Sequence, residues 1–464
     1  MEILYNLYDT CKIRYRMGSH GDNLVEHRYF VIHYGPYSKS SPIDPNINVD
    51  RYKKVLIICK KDDIELCNNL RKDLISGLPK QSIFRPFNQI FKTNLDFQVV
   101  EYESSDYNED KILEAYENNY ERFTFPLVVT PKVAKSQIDS IYYRVKARFL
   151  DKELEEKATP SQIFTKDLLK KRSESVNTDY SWSLLPTAVQ MFTKMGGVPY
   201  VLEQSCINVK EHVNVHFMGL GLTVDPRNKQ KRAGFVSIFN DNGSLSFVDS
   251  NILTDSVSES YGKLISNAID RIIRESDVNK NILIVHYSGK ELGKNEDELI
   301  RKAIQIALSK KKDIAAYVTK VNRSNIFLID TDSLSKDRSG HLTYYPRVGS
   351  VISLKDGLYV MMTGGVIDSK TNMPTGGLPS ALLVSIHKEL NSYPSDATTL
   401  NNDDLVKSVF IMSRISYSNI SNPVLNEPIT IRYSREIAYL TLKLSYLNDE
   451  IDLPEHIRKV MWFI

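Results

Sequence analysis

The chain reads as an α/β protein, with a Rossmann-like layer first and a second layer that starts antiparallel. Two observations predict this. Between Arg51 and about residue 154, short apolar runs alternate three times with amphipathic helical segments. That alternation argues for a parallel sheet covered by helices. After Tyr200, three strand-like runs follow one another, joined by a loop and a turn, before helix–strand units resume. Such short connections belong to hairpins. At 464 residues the chain is too long for one ordinary core, so two or three domains are expected.

The elements follow in order. Residues 1 to about 50 read as irregular, and GPYSKSSPIDPNINVD reads as a Pro/Ser/Asn linker over the surface. KVLIICK is a short buried strand. DDIELCNNLRKDLISGL is a helix with acid at its start and glycine at its end. FQVVEY is a second strand, and NEDKILEAYENNYERF a second helix with acids at the dipole-favoured end. FPLVVTP and SQIDSIYYRVKARFLDKEL complete a third strand–helix pair. No GxGxxG or Walker-type loop follows any strand, which argues against a dinucleotide or ATP site. Beyond Tyr200, NVHFMGLGLTV, GFVSIFN and SLSFVDSN are strands. The helix SYGKLISNAIDRIIRES, the strand NILIVHYS and the helix NEDELIRKAIQIALSKK come next. IAAYVTKV, IFLID and GLYVMMTGG are later strands, and NDDLVKSVFIMSRIS and REIAYLTLKLSYL late helices.

Composition sets outer bounds. Hydrophobic content of 42% and charged content of 25% are those of a soluble globular protein. No run approaches the roughly 20 apolar residues of a membrane span. The mixed-charge amino terminus has no apolar core of a leader peptide. Cys11, Cys59, Cys67 and Cys206 lack CxxC spacing and read as reduced thiols of a cytoplasmic protein, with no zinc site. A net charge of +3 permits nucleic-acid binding in a local groove without arguing for it.

The stretch from Ile141 to Tyr200 carries the chemistry. Tyr142 and Lys146 are four apart, so on a helix they share a face. Gln162 falls in a Ser/Pro-marked turn. Gln190 and Lys194 are again four apart, on a helix that should stop at Gly196-Gly197. Lysines supply point charge for a phosphate, amides supply directional hydrogen bonds, and a tyrosine ring can stack on a base. Taken singly, each pair is also what a solvated helix face looks like. The whole order, Y-x3-K, Q, then Q-x3-K-x-G-G-x-P-Y, resembles the guide-binding MID domain of Argonaute proteins.

That resemblance implies a stacking ring at Tyr142 and guide 5′-phosphate ligands at Lys146, Gln162, Gln190 and Lys194. Glutamine at 190, where eukaryotic members have lysine, is similar to short prokaryotic Piwi-type proteins. HFMGLGLTV, ILIVHYSGK, RVGSVISLKDGLYVMMTGG, SRISYSNISNPVLNEPITIRYSREIAYL and the terminal WFI resemble landmarks of a PIWI domain. The implied fold is a Rossmann-like MID domain over residues 51–198 and an RNase H-like PIWI domain over 199–464. Residues 1–50 would be an extension, with no room for a PAZ domain.

A PIWI nuclease needs carboxylates around two Mg²⁺ ions. At the matching positions this chain has Gly221, Ser288 and Arg435. The expectation is therefore a protein that is not itself an enzyme. A relocated cluster from Asp225, Asp249, Glu259, Glu291 and Asp297 is the rival reading, with an active Mg²⁺-dependent endonuclease as its consequence. Arg435 would touch nucleic-acid backbone or pair with Glu436 or another acid. His216 and His286, on apolar strands, read as buried and hydrogen-bonded. The basic loop KQKR at 229–232 is either solvated or laid along duplex phosphates.

At the carboxyl end, Met461, Trp462, Phe463 and Ile464 either plug a core or carry the Ile464 carboxylate into the phosphate pocket. The resemblance implies the second, with Mg²⁺ or another divalent cation shared between that carboxylate, Gln162 and the phosphate. The implied partners are a guide oligonucleotide (RNA before DNA), a complementary target strand (DNA before RNA) and an APAZ-containing effector subunit in prokaryotic defence. A scaffold that loads no strand is the remaining alternative.

Overall fold

The computed structural model describes residues 5–7, 11–16, 18–20, 27–41, 44–78, 84–133, 140–172, 179–203, 206–207, 209, 213–224, 232–253, 257–276, 280–288, 296–308, 314–324, 326, 328, 335–336, 342–343, 346–363, 381–386, 400–418, 420, 425–447 and 453–464. Residues from Lys54 to Lys194 build a four-stranded parallel sheet, in the order Asp96–Tyr102, Lys54–Lys60, Thr124–Thr130, Gln162–Thr165. The central strand has Val55 to Cys59 fully buried, as a strand covered on both faces must. Helices Ile64–Ser76, Glu109–Asn118 and Ile141–Phe149 follow the first three strands. Asn108 caps the second by accepting from the Lys111 amide, beside the acids of its first turn.

The second unit is a mixed sheet of nine strands among the described residues. Its order is Tyr5–Asn6, Ser350–Lys355, Leu358–Met362, Ala381–Ile386, Ile314–Ser324, Asn281–Tyr287, Asn214–Val224, Arg232–Asn240, Leu245–Leu253. The central strand Asn281–Tyr287 alternates its side chains between two cores. Ile282 and Ile284 join the layer of helices Asn402–Ser413 and Ile429–Leu444. Leu283 and Val285 join that of Val257–Glu275 and Glu296–Leu308, through Ile265 and Ile304. The hairpin-then-helix pattern holds in this layer, consistent with the RNase H-like fold that the resemblance implies.

Four expectations are corrected. The first fifty residues are not an irregular extension. Ile13–Tyr15 pairs with Val201–Leu202, Tyr5–Asn6 pairs with the Ser350 strand, and Leu7, Ile13, Tyr15, Ile47 and Val49 are buried. Their strand partners lie about 190 and about 350 residues away, so no local pattern announces them. That pairing also brings Cys11 and Cys206 to a Cα separation of 5.6 Å, where they form a disulfide. Only Cys59 and Cys67 are free thiols, so cysteine spacing gives no support to a reducing compartment. Gln162 opens a strand rather than sitting in a turn, since its four-residue run pairs with Leu127 and its neighbours. The last long helix begins at Ile429, six residues before the expected start. Its ITIRY opening has strand-like propensity, but burial of Ile429, Ile431 and Tyr433 overrides that. IFLID at 326–330 lies largely outside the described residues.

Candidate nucleic-acid interface

The helix after the third strand delivers Tyr142 and Lys146 to one place, and the helix Asp179–Lys194 delivers Gln190 and Lys194 to the same place. Gly196, at φ +97°, lets the chain turn immediately after Lys194, as glycine beyond a helix end commonly does. The Gln162 strand lies between them. Lys194 Nζ donates to Gln162 Oε1 at 2.7 Å and to the Ser161 carbonyl at 3.2 Å. Gln162 Nε2 donates to Gln190 Oε1 at 3.4 Å and to the Ile163 carbonyl at 3.1 Å. Lys146 Nζ lies 5.4 Å from the centre of the half-buried Tyr142 ring and donates to the Trp462 carbonyl at 3.4 Å. The five expected side chains converge.

The electrostatics are unusual for a protein interior. Lys146 and Lys194 are 2% and 1% exposed, yet among the described residues neither ammonium has an ion-pair partner. Burial, and then the charge of nearby Lys146, holds the Lys194 pKa well below the usual lysine value. An ammonium has three donors. Lys194 spends two on protein oxygens and Lys146 one, so three remain for a ligand. Three is also the number of terminal oxygens on a phosphate monoester.

Gln162 has a different part from the one expected. Both its amide protons are committed and its oxygen holds Lys194, so it is a positioning residue for that ammonium. A divalent cation does not fit on an oxygen 2.7 Å from an ammonium nitrogen. The amide oxygen better suited to a cation is that of Gln190, held only by a 3.4 Å contact. Two further hydroxyls, Ser161 Oγ and Ser418 Oγ, are buried without a hydrogen-bond partner beside these groups. Ser418 also accepts Gln190 Nε2 on its carbonyl, at 3.5 Å. Tyr200 and Tyr433 fix its segment, through the Ser416 and Ser418 amides at 3.1 and 3.2 Å. Ser161 adjoins Gln162 in sequence and was open to suspicion; Ser418 comes from the other unit and carried no signal.

No family model matches the chain, and no curated protein sequence matches it. Solved structures do. The chain is similar over its whole length to Drosophila Piwi, with a TM-score of 0.64 and 13% identity, and covers 56% of that chain. It is equally covered by Aa-Ago with externally bound siRNA, with a TM-score of 0.59 and 17% identity, again over 56% of that chain. The fold is that of Argonaute MID and PIWI domains. The chain spans about half the length of these two neighbours.

Within the second unit, Gly221, Ser288 and Arg435 are among the described residues. At Gly221 a Cβ would lie 2.4 Å from the Ser434 carbonyl oxygen, and at Gly219 one would lie 2.1 Å from that of Thr430. The helix Ile429–Leu444 therefore crosses the strand Asn214–Val224 in contact with its backbone, leaving no volume for a carboxylate at 221. Ser288 and Arg435 both line a cavity of about 230 Å³. Among the described residues its one acid is Glu427, 7% exposed, which accepts from Arg435 at 3.1 Å and from Arg323 at 3.4 Å. Arg435 thus pairs with Glu427, while Glu436 pairs with Arg432 at 3.0 Å.

Of the displaced acids, Asp249 is bound by Arg458 at 2.8 Å. Asp225 and Glu291, and the side chains of Glu259 and Asp297, lie outside the described residues, as does the loop 229–231. Among the described residues no group of three or more metal-ligating side chains stands together. His286 is fully buried between Thr430 Oγ1 at 3.0 Å and Ser408 Oγ at 2.9 Å, and burial lowers its pKa to about 3. His216 bonds Asn281 at 3.2 Å and is lowered to about 4 by burial. Both are neutral structural histidines, as expected. Among the described residues no helix is long and apolar enough to cross a membrane.

Proposed function

We propose that this chain holds the 5′-phosphorylated end of a guide strand, presents the strand for pairing with a complementary target, and does not cleave that target. One observation carries the reading: two lysines buried face to face, with no carboxylate among the described residues to neutralise them. Such a pair is costly unless an anion completes it. A phosphate monoester supplies two negative charges and the acceptors for three idle donors. The Tyr142 ring, half-exposed beside Lys146, would stack on the first base.

Absence of cleavage is supported by the filled position at Gly221 and by the guanidinium of Arg435 where a cation-binding group would stand. Sequence recognition then rests on base pairing, with the protein holding backbone and shape, as in other guided systems. An RNA guide and a DNA target remain the preferred pairing. A divalent cation between the phosphate and the Ile464 carboxylate belongs to the same proposal, with Gln190 in place of Gln162. Output without chemistry calls for a partner. An APAZ-containing effector subunit of a cytoplasmic prokaryotic defence system is the partner the resemblance implies.

The test is binding of matched 5′-phosphate and 5′-hydroxyl oligonucleotides to wild type and to Lys146→Ala/Lys194→Ala. Wild type should prefer the phosphate, and the double variant should not. Equal affinity in the wild type would remove the guide-end assignment. Cleaved target in the presence of Mg²⁺ or Mn²⁺ would replace the inactive reading with that of an endonuclease.

A further inference from the structure

A second cavity, of about 180 Å³, lies at the amino-terminal edge of the parallel sheet, next to the Lys146–Lys194 pocket. It forms where Arg51 and Tyr52 enter the first strand and Arg122 and Phe123 enter the third. Tyr120 and Lys157 close its sides. Cations outnumber acids three to one among the Asp, Glu, Lys and Arg side chains that line it, Glu156 being the acid.

Three features of this cavity point to a ligand. First, Arg51 and Arg122 both lie over one ring, with Cζ 4.5 and 4.9 Å from the centre of Phe123. Two like charges on one ring repel, and among the described residues neither has an ion-pair partner. The nearby acids are spent elsewhere, Glu121 on Lys54 and Glu117 on Lys157. Second, Phe123 has φ +66°, a left-handed conformation that a bulky residue adopts only under constraint. Third, Glu155 beside Glu156 has φ +51°. The described residues contain three non-glycine positions of positive φ, and two of them are here. Strain of this kind collects at ligand clamps.

We propose that this cavity is a second ligand site, binding a nucleoside monophosphate with its phosphate on Arg51 and Arg122 and its base against Tyr52 and Tyr120. An arginine has five donors, and Arg51 spends one on the Asn46 carbonyl at 2.9 Å. A phosphate at the mouth uses the idle donors of these guanidiniums. The volume is below the roughly 300–1,000 Å³ of pockets that enclose a drug-sized molecule. A volume of this size suits one base, with the phosphate left at the mouth. The site adjoins the guide-end pocket through three segments. Pro160 precedes Ser161 and Gln162, Met195 follows Lys194, and Val460 precedes the turn that offers the Trp462 carbonyl to Lys146.

The assignment does not depend on the guide-end reading, and the test separates them. Full-length chain is titrated calorimetrically with AMP, GMP, CMP and UMP, because a 5′-monophosphate also enters the Lys146–Lys194 pocket. The Lys146→Ala/Lys194→Ala chain should still bind one equivalent of at least one nucleotide. Adding Arg51→Gln and Arg122→Gln should weaken that residual binding by at least about tenfold, as should removing the phosphate from the ligand. Phe123→Gly in the Lys146→Ala/Lys194→Ala chain, which relieves the backbone and deletes the ring support, gives a second variant should the arginine changes disturb folding. It should bind more weakly with circular dichroism unchanged. If the Lys146→Ala/Lys194→Ala chain is folded and binds none of the four nucleotides, the second site is refuted. Residual binding indifferent to both the arginine and Phe123 changes refutes it equally.

Discussion

Replacing Lys194 by methionine isolates one charge at nearly constant volume. In the wild type its ammonium makes two protein contacts and keeps one donor for a ligand. Loss of a single charge-assisted hydrogen bond removes about 1.5–3 kcal/mol. The dissociation constant for a 5′-phosphorylated oligonucleotide should then rise about 10- to 150-fold, while that for the 5′-hydroxyl form stays within about threefold. The pH dependence sharpens the test. The Lys194 pKa is depressed in the free protein, and a bound phosphate raises it again. Binding therefore takes up a proton wherever the pH lies between those two values. Affinity for phosphate is full below the depressed value and falls as pH rises, by at most about tenfold per unit. Lys194→Met should abolish the slope that this proton causes. Fluorescence anisotropy of end-labelled oligonucleotides at several pH values measures all of this. A slope that is identical for 5′-hydroxyl strands, or that survives in Lys194→Met, would show that the ammonium does not meet the phosphate.

Other outcomes follow from the same geometry. Gly221→Asp should not restore cleavage, because its Cβ would collide with the Ser434 carbonyl; overpacking should instead lower stability by about 1–3 kcal/mol, seen as an earlier denaturation midpoint. Chelation of divalent cations should weaken phosphate-dependent binding in wild type and in Gln162→Leu, but not further in Gln190→Leu. Equal chelator sensitivity in both variants would return the cation to another ligand. His286 has its pKa lowered to about 3 when folded, against about 6.5 unfolded, so it contributes stability above the unfolded value. That contribution, at most roughly 4–5 kcal/mol, is lost as pH falls towards 3. The stability of His286→Gln should fall less steeply with acid over that window, and an unchanged slope would mean that His286 stays protonated in the fold.

Much of the fold was legible because its signals are local. KVLIICK, FQVVEY and FPLVVTP are apolar runs with capped amphipathic helices between them, and they form the strands and helices their periodicity implies. The four-residue spacings Tyr142–Lys146 and Gln190–Lys194 by themselves put each pair on one helix face. What spacing cannot carry is the relation between segments. It did not show that Ile13 pairs with Leu202, that Cys11 therefore meets Cys206, or that Ser418 would reach Gln190 from the second unit.

The sequence by itself determined which side chains are available: two lysines, two amides and a ring in one stretch, and glycine, serine and arginine where a nuclease would have ligands. Only the tertiary structure decided how those groups are spent. Gln162 uses its oxygen on Lys194, Arg435 uses its charge on Glu427, and the two lysines are left buried with three donors idle. Hydrogen-bond capacity is a property of the residue, but which part of it remains for a ligand depends on neighbours that the chain brings together from far away.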